Sequence, residues 1–219
     1  SETRMAIEAE EDETPFSISI AEPGPMEGEG RTSVLVGDLG LTGGNQRSGS
    51  DLARDILAQF CSSHQPLTLW ALSERLSESR GRVSTIVDRM RAAAIVERAP
   101  MVDRIPQDAF AGISRQFDAR GEEWLMTRGG LGRLEEQVSK TLIEGARNGS
   151  LDIDGVREAL APVPLEDQRI LLNTLGGRLA YGYRIAGADG DSVSKSVMRR
   201  AERTLRRLRT VAQRLDESL

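Results

Sequence analysis

The chain has 219 residues, 38% of them hydrophobic and only 4% aromatic, and a formal net charge of −5. That is enough material for one large or two small cores, packed from Leu, Val, Ile and Ala in helices. One cysteine, Cys61, and one histidine, His64, exclude a disulfide framework and a Cys/His metal cluster within a single chain and point to a reducing, cytoplasmic setting.

Residues 1–50 hold ten acidic side chains against Arg4, Arg31 and Arg47, a balance of −7, which leaves +2 for residues 51–219. The acidity therefore belongs to the tail and does not argue against a nucleic-acid partner. Residues 1–48 mix Glu runs with Pro and Gly, a composition that cannot offset its ordering entropy, and a mostly disordered, solubilising extension is expected. Within it, FSISI (Phe16 to Ile20) and SVLVGDL (Ser33 to Leu39) are rich in β-formers and suited to pairing or docking. The acidic start lacks the basic and apolar regions of a signal peptide, and no run approaches the ~20 apolar residues of a membrane span.

A helix capped by Ser50 is expected through Ser62, with Leu52, Ile56, Leu57 and Phe60 on its core face. Leu69, Leu72 and Leu76 then share one face of a second helix, and Val83, Ile86, Val87 and Met90 one face of a third. Between those two, Ser77, Glu78 and Ser79 form a polar turn, with Ser79 placed to cap the following helix. AIVERAP (Ala94 to Pro100) reads as an edge strand, and EEWLMT (Glu122 to Thr127) as its partner. The roughly twenty residues between them are long for a hairpin loop, whose usual length is about 2–5 residues, so either the wing is elaborated or a short helix is inserted near 107–117. The wiring is that of a winged helix-turn-helix over 49–130. The outward face of its third helix carries Ser79, Arg80, Arg82, Ser84, Thr85 and Arg89, groups that reach phosphates and base edges. All basic residues but Lys140 and Lys195 are Arg, which suits bidentate phosphate and guanine contacts and is also what a GC-rich genome produces.

These residues carry a family likeness. LTLWALSERLSESRGRVSTIVDRMRAAAIVER is similar to the winged-helix domains of MarR-type and IclR-type transcription regulators, and DARGEEWLMTRGG (Asp118 to Gly130) resembles the second wing strand of the MarR type. The resemblance implies that the helix over 79–93 enters a DNA major groove and that the wing arginines Arg115 and Arg120 contact the duplex. Glu78 stands where an apolar turn residue is usual, and Ala94 where a Gly commonly ends the recognition helix.

Beyond the wing, connecting helices are expected over 131–163, one from about Leu131 to Ala146 bearing the stripe Leu134, Val138, Leu142 and Ile143, with Gly149 beyond its end, the next ended by APVP. A C-terminal helical domain is expected over 164–219, and about the first 45 of its residues, from Pro164, resemble region 4 of bacterial sigma factors, through LAYGYRIA (Leu179 to Ala186) and KSVMRRAERTLRRL (Lys195 to Leu208). The likeness implies a helix over the first of these and a DNA-reading helix beginning at Lys195, with Ser196, Arg199, Arg200 and Arg203 toward the phosphates. An independent reading of the last helix is a heptad seam through Ala201, Leu205, Leu208, Ala212 and Leu215. From Ser192 to Leu219 the balance is +5.

No nucleophile elbow, phosphate loop or metal-ligand spacing is present, so neither an enzyme nor a cofactor is expected. The sequence thus predicts a mainly α protein: a winged helix-turn-helix with a small β-wing and a C-terminal helical segment, either helix-turn-helix-like or coiled-coil. Its expected role is a cytoplasmic transcription regulator binding double-stranded DNA, with α-helical contacts for a homodimer or RNA polymerase and no membrane partner. Alternatives are a winged-helix protein-interaction subunit of a chromosome-segregation or polymerase-associated complex, and a replication or partition DNA-binding protein.

Overall fold

A computed structural model describes residues 15–19, 40–41, 46–187, 190 and 192–219, with the side chains of 46–50 left aside. The SVLV patch and most of the acidic tail lie outside the described residues. Among these residues the protein is mainly helical, with one small two-stranded antiparallel sheet. No helix among them is long and apolar enough to cross a membrane.

The described residues fall into two compact units, one running from Pro100 to Tyr181, the other formed by the chain before Ala99 and after Gly182. In the second unit the order is α1 (Gln46–Ser62), α2 (Leu69–Leu76), α3 (Arg80–Ala92), β1 (Val96–Pro100), β2 (Tyr181–Ile185) and α9 (Val193–Ser218). Helix α1 begins at Gln46, four residues before the expected Ser50 cap. Ala53, Ile56, Leu72, Val83, Val87 and Met90 are completely buried in one core, with Leu52, Phe60, Ile86 and Val96 beside them. Each such aliphatic side chain contributes roughly 1.5–3 kcal/mol on burial, so the three helical faces read from the sequence hold this unit together. Part of the FSISI patch docks here in extended form: Ile18 packs on the core and the Ser17 N–H donates to the Ala92 carbonyl at 2.9 Å.

The strand opposite β1 is not EEWLMT, which is the short helix α5 (Glu122–Met126) with only Leu125 fully buried. It is YGYRI, about 80 residues downstream of β1. The Ala186 N–H donates to the Ile95 carbonyl at 2.9 Å, and directly opposed Glu97 and Arg184 form an ion pair at 2.7 Å. On its other edge β2 meets Leu67 through two 2.8 Å main-chain bonds between Leu67 and Tyr183. Gly182 makes this approach possible: a Cβ there would stand 3.0 Å from Pro66 Cβ and 3.1 Å from the Leu67 main chain. The helix implied over Leu179 to Ala186 by the sigma-factor likeness is therefore absent, because main-chain bonds tie this segment to β1 on one side and to Leu67 on the other.

The first unit contains α4 (Ile105–Arg120), α5, α6 (Glu136–Asn148), α7 (Ile153–Leu160) and α8 (Leu165–Thr174). The twenty-residue segment after β1 is thus largely helix α4, with Pro106 in its first turn where no intrahelical N–H is needed. Ile105, Ile113, Leu125, Leu131, Leu142 and Leu172 are fully buried in a separate core. Divisions expected at 130 and at the prolines near 163 fall inside this unit. Its first and last residues are neighbours: the Met101 N–H donates to the Ala180 carbonyl at 2.7 Å.

Candidate nucleic-acid interface

The α2–α3 corner is closed by the backbone. Helix α2 starts at Thr68, whose hydroxyl accepts from the Ala71 N–H at 3.1 Å, and ends with Ser77 in the left-handed region (φ 51°, ψ 42°). There the Ser77 N–H donates to the Glu74 carbonyl and the Glu78 N–H to the Ser73 carbonyl, satisfying two of the last turn's free acceptors. Ser73, buried, returns the bond by donating its hydroxyl to the Glu78 carbonyl at 2.6 Å. Ser79 then caps α3 as expected, accepting from the Arg82 N–H at 3.3 Å. Helix α3 ends in the same geometry, with Ala94 left-handed at φ 59° and the Ile95 N–H bonded to the Met90 carbonyl.

Because Val83, Ile86, Val87 and Met90 point into the core, the opposite face of α3 is exposed from its first turn onward. Ser79, Arg80, Gly81, Arg82 and Thr85 are exposed, while Ser84 and Arg89 are half-buried at its margins. Sequence reasoning missed two features of this face. Arg82 is engaged by Glu78 at 2.7 Å, so the residue that departs from the turn pattern holds a neighbouring arginine. Asp88, one turn beyond Thr85 and also exposed, sits near the middle of the face and adds a negative charge among the arginines. Thr85 donates its hydroxyl to the Gly81 carbonyl at 2.9 Å. A third omission is Trp70 on α2, 59% exposed.

The remaining candidates are dispersed. Arg115 lies on α4 in the other unit, where its guanidinium, with the Gln116 amide, donates to the Leu175 carbonyl at 3.1 Å. Arg120 stacks 4.8 Å from the Trp124 ring centroid. Neither is on a strand, and both make their contacts within their own unit. On α9, the Ser192 hydroxyl caps the helix at Lys195 N, and the Ser196 hydroxyl donates to the Ala94 carbonyl at 2.9 Å. Val193 and Val197 pack on the core, and Arg200 is 9% exposed. Lys195 and Arg199 are exposed and Arg203 half-buried. The α9 set is thus split between anchoring the helix and facing solvent.

Among the described residues no group of three or more His, Cys, Asp or Glu is placed to hold a metal ion. The perturbed carboxyls are Glu122 and Glu166, both held below their ordinary value by hydrogen bonds from arginine, Arg147 and Arg169 respectively. Both lie on helices of the first unit, away from the α3 face in the sequence. The chain matches no protein-family model, no curated protein and no solved structure.

Proposed function

We propose that α1, α2, α3, β1 and β2 form a winged helix whose wing has been opened to admit a helical unit, and that the protein is a non-catalytic transcription regulator reading duplex DNA with α3. The observation that carries this reading is the exposed face of α3. It opens at a capped N-terminus, where free N–H groups and the helix dipole favour phosphate, and it presents Arg80, Gly81, Ser84 and Thr85 in the first turns. Arg80 and Thr85 are the base-reading groups in this reading, and Arg82 reaches a phosphate only by leaving Glu78. Arg199 of α9, exposed on the outer side of that helix, supplies a second contact, to DNA or to RNA polymerase.

The test is selection of genomic fragments by the full chain, followed by polarisation titrations at two salt concentrations. A selected site, a salt slope of ~0.9 per neutralised phosphate, and a loss of about 1–3 kcal/mol for Arg80→Ala or Thr85→Ala at unchanged helicity are expected. Glu78→Gln releases Arg82 and is expected to tighten binding several-fold across all sequences. Unselective binding, or variants equal to the parent, would overturn the reading. The second reading, a winged-helix module that holds protein, is favoured by exposed Trp70 on α2 and by Asp88 on the α3 face; it predicts only weak, unselective DNA binding.

A further inference from the structure

Helix α9 is about 39 Å long at 1.5 Å per residue, yet from Thr204 onward every residue is exposed. An apolar seam runs along the helix and into this free length: Met198, Ala201, Leu205, Leu208, Ala212 and Leu215 follow one another at alternating steps of three and four, with Leu205, Leu208 and Leu215 47–59% exposed. A heptad reading puts Met198, Leu205 and Ala212 at a and Ala201, Leu208 and Leu215 at d. Of the seven arginines of this helix, Arg199, Arg200, Arg203, Arg206, Arg207 and Arg214 fall on the outer b, c and f positions, and Arg209 on e. An apolar stripe this regular does not remain in water without a partner.

Charge at the seam's edges selects the partner. The e positions read Lys195, Glu202, Arg209 and Asp216, alternating in sign, whereas the g positions read Val197, Thr204, Val211 and Ser218 and carry no charge. In a parallel pair each e residue faces a g residue of the other helix, so these charges meet only Val, Thr and Ser. In an antiparallel pair e faces e. One antiparallel alignment matches every pair: Lys195 with the second copy's Asp216, and Glu202 with its Arg209, each occurring twice by symmetry. The same alignment sets Leu205 against Leu208, Met198 against Leu215, and Ala201 against Ala212, large on large and small on small. Sliding by one heptad either way brings Glu202 against Glu202 or Arg209 against Arg209. We infer that two copies of this chain associate through α9 as an antiparallel two-stranded coiled coil in this register, leaving the arginine faces outward.

The test uses the full chain with Cys61→Ser and no DNA, so its outcome is independent of the DNA reading. Light scattering is expected to give a dimer, and Leu205→Asp, at an exposed position, a monomer with unchanged circular dichroism outside α9. Glu202→Arg and Arg209→Glu should each weaken the dimer by about tenfold, and the double swap should restore it. For orientation, Met198→Cys and Leu215→Cys proteins are expected to form disulfides when mixed and not when oxidised separately. A monomer at all concentrations, a trimer or tetramer, self-disulfides of Met198→Cys, or a double swap as weak as the singles would each overturn the proposal.

Discussion

Ser77 and Ala94 end α2 and α3 in the left-handed region, a conformation that costs a side-chain-bearing residue roughly 1–2 kcal/mol relative to glycine. At the equivalent helix ends of the other unit the chain uses Gly149 (φ 65°) and Gly176 (φ 86°). Ser77 is exposed, so Ser77→Gly is expected to stabilise the protein by about 0.5–1 kcal/mol after the entropy of a freer unfolded chain is subtracted. Ala94 differs, since its methyl is buried at 6% exposure. There Ala94→Gly exchanges strain for a lost methyl worth ~0.8 kcal/mol and should be close to neutral. Urea titrations of the two variants read both, and a destabilised Ser77→Gly would contradict the argument. These positions also explain what the sequence makes legible: Gly149 announces a helix end from composition alone. Ser77 and Ala94 do not, because their conformation is imposed by the core that α2 and α3 share.

Among elements, the helices with a clear apolar stripe are readable because their periodicity is local: Leu52, Ile56 and Phe60 define one face whatever lies elsewhere. The sheet is not readable in that way. YGYRI becomes a strand only because Val96 to Pro100 and Leu67 flank it, and both partners are far away in sequence. EEWLMT has equally β-prone composition but begins after Gly121 and buries Leu125 as one helical turn. Gly182→Ala is the sharpest probe of the β2–Leu67 contact: the added methyl meets main chain rather than a flexible side-chain end, and a loss of about 1–3 kcal/mol is expected. A thermal midpoint equal to the parent's would mean the contact is dispensable. A second element-scale expectation concerns acid. The Arg147 guanidinium donates to Glu122, one bond at 3.0 Å, and holds that carboxyl below its ordinary 4.5. Its contribution is therefore full above pH 4.5 and is lost as pH falls below that value through the lowered pKa. Glu122→Gln should flatten this acid limb of the first unit's stability while leaving a small deficit at neutral pH; parallel curves for parent and variant at every pH would refute it.

On the scale of the whole molecule, of the two alternatives open for the segment after β1, an elaborated wing or a short inserted helix near 107–117, the helix is the one present, and it carries Arg115 and Arg120 within a helical unit of its own. That unit enters and leaves the sheet through adjacent residues, Met101 and Ala180. Replacing 101–180 by an Asn-Gly turn, which matches the twist of an antiparallel pair, should leave the α1–α3 core folded, with a single cooperative melt of its own and retained β-sheet signal. Aggregation or a lost melt would show that the two cores depend on one another. The same adjacency bears on how the chain reaches its native state. Joining β1 to β2 through a flexible segment of about 80 residues costs some 3 kcal/mol more in closure entropy than a two-residue hairpin, at ~0.6 kcal/mol per doubling of length. A helical body with local contacts forms fast, and once formed it holds those strand ends side by side. Leu142→Ala or Leu172→Ala, in the core of the inserted unit, is therefore expected to slow formation of the β1–β2 sheet in stopped-flow refolding, and rates equal to the parent's would refute it.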